Sequence, residues 1–226
     1  MLECNHLTKF YKKKCVVNNL SFRVNQGEVF AFIGSNGAGK TTTIKMILGL
    51  VDMDRGEVKL AENIHVGYSP ETPYFLPFLT GYEVLNYYAG LQKISKSERR
   101  TEILKLLDTV GLENNEIKVK NYSKGMLQRL ALAQSLLGNP NCLILDEPMA
   151  GLDALGRVEI MHLIEKLKNS GKTIIINSHI LNDIEQICDR GIIIKSGVQM
   201  ATWNKADNNT KTLEKIFIDV VGGIKE

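Results

Sequence analysis

Apolar positions along the chain fall into short unbroken runs and longer stretches with helical spacing. The run at 29–33 is predicted to be a buried strand, and a glycine-rich turn and a helix over 39–48 follow it. Three more aliphatic or β-branched runs are typical of core strands in a parallel sheet, at 142–145, 173–176 and 191–194. Helical spacing predicts further helices at 153–168, 180–187 and 212–220. Strands that alternate with helices in this way predict an α/β fold with a mostly parallel sheet.

The middle of the chain differs, because no strand-like run occurs between 80 and 137. Helical spacing predicts three consecutive helices there, at 80–91, 96–107 and 124–137. We therefore expect a single domain, residues 1–226, with a helical lobe of about 76–137 inserted into a core of about 1–75 and 138–226. A chain of 226 residues is long enough to bury such a core.

Charge and composition narrow the choice of partner and compartment. The net charge of +3 is too small to indicate a nucleic-acid partner, so none is expected. The apolar runs are far shorter than the roughly 20 residues that a membrane-spanning helix needs, and the N-terminus lacks an apolar signal core. Four scattered cysteines without a Cys-x-x-Cys pair then favour a cytosolic protein with reduced thiols.

A glycine-rich motif follows the strand at 29–33. Residues 34–41, G-S-N-G-A-G-K-T, match the phosphate-binding pattern G-x-x-x-x-G-K-[ST] between a strand and a helix, which is the context that the motif requires. Its glycines allow backbone N–H groups and the helix N-terminus to approach phosphate oxygens. The sequence therefore predicts a P-loop NTPase core that binds a nucleoside triphosphate through Gly34, Ser35, Asn36, Gly37, Ala38, Gly39, Lys40, Thr41 and Thr42. Lys40 is expected to neutralise the β- and γ-phosphates, and the Thr41 hydroxyl to hold Mg²⁺.

A second motif ends the predicted strand at 142–145 in two carboxylates, Asp146 and Glu147. Because adjacent side chains at a strand end point in different directions, the two can serve different roles. Asp146 is predicted to bind Mg²⁺ beside Thr41. Glu147 is predicted to be the general base for an attacking water, a role worth ~10²–10⁴ in rate.

A third motif identifies a family. Residues 122–126, Y-S-K-G-M, begin the helix predicted at 124–137, and Ser123 is a good N-cap. With the other two motifs in this order, the segment resembles the signature of ATP-binding cassette (ABC) proteins, usually written L-S-G-G-Q. The resemblance covers essentially the whole chain. It is to the ATP-binding proteins of ABC transporters, in a bacterial exporter branch whose membrane subunit is separate.

The resemblance implies roles for further residues. Tyr11 resembles the aromatic residue that stacks on adenine, and His179 matches the switch histidine. The segment 67–71 matches the Q-loop, which makes Glu71 a metal ligand, and 147–153 resembles the acid pair with its D-loop. The family also has a small antiparallel β-lobe, which we expect to be trimmed because 55–68 is short.

The resemblance further implies a mechanism and partners. Two subunits, identical or paired, would bind ATP and Mg²⁺ head to tail, with Ser123 and Gly125 of one subunit facing the ATP of the other. Hydrolysis through Glu147, His179 and Lys40 would drive a separate transmembrane permease on the cytoplasmic face of the cell membrane. The permease is expected to dock near 71–88, where aromatic residues cluster. The alternative is that these aromatics pack the helical lobe; they are Tyr74, Phe75, Phe78, Tyr82, Tyr87 and Tyr88.

Two departures from the family pattern and three rival functions stay open. Glu71 replaces the usual glutamine, and Lys124 replaces the first signature glycine, where a cation could hold γ-phosphate or lie on the surface.

Asn204-Lys205-Ala206-Asp207 spells a guanine-binding motif but follows no apolar core run, so a GTPase is disfavoured. The other rivals are an ABC ATPase without transport and a regulatory module without hydrolysis.

Overall fold

The computed structural model describes residues 1–207 and 211–222. Within these residues, nine strands are numbered in chain order: β1 Leu2–Tyr11, β2 Lys14–Val24, β3 Val29–Ile33, β4 Arg55–Leu60, β5 Val66–Ser69, β6 Cys142–Asp146, β7 Thr173–Ser178, β8 Arg190–Lys195 and β9 Val198–Asn204. Seven α-helices accompany them: α1 Lys40–Ile47, α2 Gly81–Leu91, α3 Lys96–Thr109, α4 Lys124–Ser135, α5 Ala154–Asn169, α6 Leu181–Ile187 and α7 Leu213–Val221. Every strand and helix predicted from the apolar pattern is present, and their ends agree to within two residues.

Helices α2, α4, α5 and α7 each begin at a side chain that caps the first turn. The Thr80 hydroxyl accepts from Glu83 N while Glu83 accepts from Thr80 N, which forms a capping box at the start of α2. Asp153 caps α5 by accepting from Gly156 N at 2.8 Å. Cap residues favour these helix starts, because they satisfy N–H groups that have no partner inside the helix.

The described part of the chain divides into two compact units. The strand-rich unit contains Met1–Ile64 and the described residues from Thr173 onward, and the helical unit contains His65–Lys172.

Two sheet arrangements occur in the strand-rich unit. Three strands form an antiparallel sheet in the order β2-β1-β4. Separately, β3 pairs in parallel with β7 on one side and with β8 on the other, and β9 pairs antiparallel with β8. All five residues of β3 are buried, as expected of a central strand. Phe22, Phe30 and Phe32 pack together with ring centroids 5.2 to 5.8 Å apart. The antiparallel lobe is small, and β4 is its shortest strand at six residues.

In the helical unit β5 and β6 pair in parallel, with Ser69 opposite Leu145. Between 80 and 137 this unit contains α2, α3 and α4, the three helices that the pattern predicted, and also a short 3₁₀ turn at Val119–Asn121 that it did not predict. Arg129 connects α4 to the residue after α3 and to α5. It donates to Val110 O at 2.7 Å and forms an ion pair with Glu159 of α5. Within 1–207 and 211–222, no helix combines the length and the apolar character that crossing a bilayer demands.

Candidate functional site

The glycine-rich turn connects β3 to α1 in the strand-rich unit. Gly39 adopts a φ of 106°, in the left-handed region that favours glycine, and a Cβ there would lie 2.6 Å from Val16 O. At Gly34 a Cβ would collide with the carbonyl oxygen of Ile194. These two positions therefore require glycine, and the turn between them leaves residues 35–37 exposed to solvent.

Lys40 begins α1 directly after this turn. It is 5% exposed, and its Nζ donates to Gly34 O at 2.6 Å and to Ser35 O at 3.1 Å. The first turn of α1 contains no acidic residue, and Thr41 and Thr42 are half-buried within it. An ammonium group, a helix N-terminus and a turn too crowded for side chains at Gly34 and Gly39 together fit a phosphate group.

His179 lies at the same sheet edge as the glycine-rich turn. Strands β3 and β7 are parallel neighbours with Ile33 opposite Ser178, so Gly34 and His179 are each the first residue beyond a paired strand end. His179 is exposed. The structure thus places the predicted switch histidine and the glycine-rich turn at the carboxyl edge of one strand pair, where open α/β sheets bind ligands.

Tyr11 ends β1, where it pairs with Lys14 across the β1–β2 hairpin. Its ring is 46% exposed, and the Lys9 ammonium lies 5.8 Å from the ring centroid. The ring is therefore accessible to a flat ligand, and its stacking role stays a prediction.

The acid pair belongs to the helical unit, together with Glu71. Asp146 and Glu147 are 1% and 6% exposed at the end of β6, and exposed Glu71 follows the end of the parallel neighbour β5. Burial raises the pKa of Tyr68 to about 12, and the negative charges of Asp146 and Glu71 add to this effect. Both carboxylates therefore act electrostatically on one phenol, as expected if they share an edge of the strand pair.

Carboxylate and hydroxyl oxygens suit Mg²⁺, which proteins typically bind with one or two carboxylates and substrate phosphates. Within the described part of the chain, no group of three or more His, Cys, Asp and Glu side chains can hold a metal ion. The carboxylate oxygens of this edge fit a magnesium ion that also takes ligands from a bound phosphate. Whether Thr41, Asp146 and Glu71 share such an ion stays a prediction.

The signature segment lies at the start of α4, in the helical unit. Ser123 caps the helix by accepting from Met126 N at 3.2 Å, and no acidic residue occurs in the first turn. A Cβ on Gly125 would lie 3.2 Å from Leu152 Cδ2, so this glycine permits close packing against the predicted D-loop. The N-terminus of α4 is thus capped and lacks the acidic side chain that would neutralise its positive end.

Aromatic side chains after Glu71 divide into exposed and buried ones. Tyr74, Phe78 and Tyr87 are 82%, 63% and 52% exposed. In contrast, Phe75 is 7% exposed and packs edge-to-face on Tyr88 with ring centroids 6.3 Å apart. The docking role predicted for the aromatic cluster is therefore wrong for Phe75, because its side chain is buried in the core of the helical unit.

Comparisons with known proteins decide the family. The model of the family described as ABC transporter matches residues 17–150, which is more than half of the chain. The chain belongs to the ABC transporter family. This match includes the glycine-rich turn, the signature segment and the acid pair, so the resemblance inferred from the three motifs is confirmed.

Relatives within the ABC transporter family are similar over most of this chain. An uncharacterized ABC transporter ATP-binding protein of Synechocystis is 46% identical over 83% of this chain and 56% of its own length. The bacitracin transport ATP-binding protein BcrA of Enterococcus faecalis is 44% identical over 99% of this chain and 75% of its own. The lantibiotic transport ATP-binding protein SrtF of Streptococcus pyogenes is 36% identical over 96% of both. This chain spans 56% and 61% of the lengths of the Synechocystis relative and one from Nostoc.

Solved structures agree with the fold. A structure described as the ATP binding subunit of an ABC transporter superposes with a TM-score of 0.87 at 31% identity, covering 97% of this chain and 99% of the other. A dimer of the ATP-binding cassette MJ0796 in a post-hydrolysis state with ADP and Pi has a TM-score of 0.83 at 26% identity, covering 91% and 99%. The α/β fold with a mostly parallel sheet and an antiparallel sheet is therefore confirmed.

Two features of the ABC site were not predicted. Ser69 ends β5 beside the acid-pair strand, and its buried Oγ has no hydrogen-bond partner among the residues that the structure describes. Lys124 covers Gly151 of the D-loop. No sequence signal reveals either feature, because a serine before a proline and a lysine at a helix start are both common on surfaces.

Proposed function

We propose that this chain is the ATP-binding subunit of an ABC transporter, and that it binds and hydrolyses ATP with Mg²⁺ in a head-to-tail dimer. The observation that carries the proposal is the glycine-rich turn with buried Lys40, in a chain that matches the family over 17–150. Two relatives are described as transport ATP-binding proteins, which supports a role in transport.

Lys40 changes partners when a triphosphate binds. Its ammonium donates to two neutral carbonyl oxygens, Gly34 O and Ser35 O, and phosphate oxygens are stronger acceptors because they are charged. The backbone N–H groups of the turn and the N-terminus of α1 provide further donors. Residues 34–42 thus form the phosphate site, and Tyr11 stacks on the base.

Hydrolysis requires a base, a cation and a positioned phosphate. Thr41, Asp146 and Glu71 are the proposed Mg²⁺ ligands, and a divalent cation offsets the extra negative charge that Glu71 brings. Glu147 accepts the proton of a water that attacks the γ-phosphorus, while the bond to the leaving ADP oxygen breaks. His179 contacts the γ-phosphate from the strand edge that carries the turn.

Ser123 and Gly125 complete the nucleotide site of the partner subunit in this dimer. The capped N-terminus of α4 brings donors and a positive dipole end to the γ-phosphate of the other subunit. The dimeric post-hydrolysis structure of a similar cassette supports pairing.

The proposed membrane partner is a permease that docks near 71–88. The exposed rings of Tyr74, Phe78 and Tyr87 support this position, because aromatic residues are enriched at protein interfaces. With such a partner the chain would work on the cytoplasmic face of the membrane.

Glu147→Gln tests the function directly. The variant should release phosphate from ATP at least ~100-fold more slowly than wild type, because the base is lost. It should also form ATP-dependent dimers in size-exclusion chromatography, since binding is retained. Glu116→Gln, an exposed carboxylate in the same unit, is the matched control. Unimpaired turnover of Glu147→Gln would contradict the proposal, and so would a monomer at saturating ATP.

The guanine-binding alternative has no structural support. Asn204 Nδ2 donates to Asp207 Oδ2 at 3.0 Å, and Asn204 Oδ1 accepts from Ala206 N at 3.1 Å. The polar groups that would read guanine therefore stabilise their own turn after β9. GTP should compete poorly with ATP for the purified protein.

A further inference from the structure

Lys124 covers the open face of Gly151. Gly151 has a φ of 73°, and a Cβ added there would lie 2.5 Å from both Cδ and Cε of Lys124 and would also collide with Nζ. The end of the lysine stem therefore lies directly on the glycine of the D-loop. Both residues belong to the helical unit.

A second contact lies beside the first. Gly125 approaches Leu152 closely enough that a Cβ would lie 3.2 Å from Leu152 Cδ2. Ser123 caps α4 on one side of this contact, and Asp153 caps α5 on the other. Residues 124–125 and 151–152 are thus packed together next to two helix starts whose positions are fixed by their caps.

The turn supported by this contact begins at Glu147, the proposed base. Glu147 has a φ of 51°, in the left-handed region that is unfavourable for a glutamate. Two backbone hydrogen bonds hold the turn, from Ala150 N to Glu147 O at 3.0 Å and from Leu152 N to Met149 O at 3.3 Å. A left-handed residue of this kind persists only where its surroundings restrain it.

The charge of Lys124 does not account for its position. Lys124 is the first residue of α4, where a positive charge opposes the helix dipole. It is exposed and forms no ion pair with any residue in 1–207 or 211–222. The contact that the structure gives this side chain is the packing of the end of its stem, together with Nζ, on Gly151.

We propose that Lys124 is a positioning residue that acts through its stem. By covering Gly151 it holds the turn 147–152 in one conformation, and this orients the Glu147 carboxylate for hydrolysis. The kinetic consequence rests on the function proposed above, whereas the structural one does not.

Lys124→Ala and Lys124→Met form the test. Alanine removes the stem, methionine keeps most of its length without the charge, and both are good helix formers. Lys96→Ala is the matched control, because Lys96 is an exposed lysine at the first position of α3. Thermal unfolding of all three variants verifies that they are folded.

The first measurement is hydrogen exchange in the nucleotide-free protein. The amides of Ala150 and Leu152 should exchange about tenfold faster in Lys124→Ala, equivalent to about 1.4 kcal/mol, and within about twofold of wild type in Lys124→Met. Unchanged exchange in Lys124→Ala would overturn the proposal. This comparison tests whether Lys124 restrains the turn 147–152, even if the wild-type protein hydrolyses no ATP. Absence of hydrolysis in the wild type would contradict the proposed function instead.

The second measurement separates kcat from KM. For Lys124→Ala we expect kcat to fall about tenfold with KM for ATP unchanged, and we expect Lys124→Met to restore kcat. If methionine fails to rescue kcat, the ammonium acts directly and the stem does not. If KM rises while kcat is unchanged, Lys124 contacts the nucleotide, and the positioning role is wrong.

Discussion

Arg190 holds the carboxylate of Glu28 through two hydrogen bonds, from Nε to Oε2 at 3.0 Å and from Nη2 to Oε1 at 2.8 Å. Glu28 lies immediately before β3 and Arg190 begins β8, so the pair joins the starts of two neighbouring parallel strands in the strand-rich unit. A bidentate pair of this geometry is more specific than a typical surface ion pair.

The Glu28–Arg190 pair predicts a pH-dependent stability. Burial opposes ionisation of Glu28, but hydrogen bonds from Arg190 and Asn25 outweigh it and lower its pKa below the usual 4.5. Because the folded pKa is lowered, the stabilisation is complete above the unfolded value and is lost as pH falls through the folded one. Glu28→Gln should therefore lower the free energy of unfolding by about 1 kcal/mol at pH 7, and by less near pH 3.5. Urea unfolding at both pH values measures this difference, with exposed Glu214→Gln as the control. A difference that stays constant or grows in acid would contradict the assignment.

Lys40→Ala tests whether the glycine-rich turn binds phosphate. Because the ammonium is buried and donates to two carbonyls of the turn, alanine removes a positive charge from the proposed phosphate site. We expect affinity for Mg-ATP to fall at least ~30-fold, or about 2 kcal/mol. Titration calorimetry measures the change, and Lys45→Ala, an exposed lysine of the same helix, serves as the comparison. Equal affinity for Mg-ATP in Lys40→Ala and wild type would contradict the assignment of the glycine-rich turn as the phosphate site.

Phe78 and Phe75 make a matched pair for the docking surface. Phe78→Ala removes an exposed ring, so stability should change by less than ~0.5 kcal/mol while co-purification with the membrane partner weakens. Phe75→Ala removes a buried ring that packs on Tyr88 and should cost about 3 kcal/mol of stability. Thermal unfolding and pull-down from solubilised membranes separate the two effects. Undiminished co-purification of Phe78→Ala would exclude Phe78 from the docking surface.

Thiol reactivity reports on the packing around the cysteines. Burial raises the pKa of both Cys4 and Cys142 to about 12, with a further contribution from Glu3 at Cys4, and Cys188 is fully buried. Cys15 is half-exposed. At pH 8 a thiol reagent should therefore modify Cys15 rapidly in the native protein and all four cysteines after denaturation. The variant Cys15→Ser should lose the rapid phase, and a rapid phase that survives would place another thiol at the surface.

The apolar pattern predicted the strands and helices that are buried or strongly periodic. Strand β3 and the aliphatic parts of β6, β7 and β8 were found because both of their faces are covered, which leaves an unbroken apolar run. Strands β1 and β2 were not predicted individually, although they are the longest. Their burial is irregular because the ladder between them contains register shifts at Cys4, Leu7 and Lys9.

Local sequence alone predicted the glycine-rich turn, the Ser123 cap of α4 and the acid pair at the end of β6. These features depend on backbone geometry and chemistry within a few residues, so the residue types and their spacing suffice to specify them. Tertiary structure decided which side chains of the aromatic cluster are buried, that Ser69 has a buried hydroxyl, and that Lys124 covers Gly151. Such contacts join residues that are distant in sequence, as Lys124 and Gly151 are, and packing in three dimensions brings them together. The local pattern of polar and apolar positions therefore cannot predict these contacts.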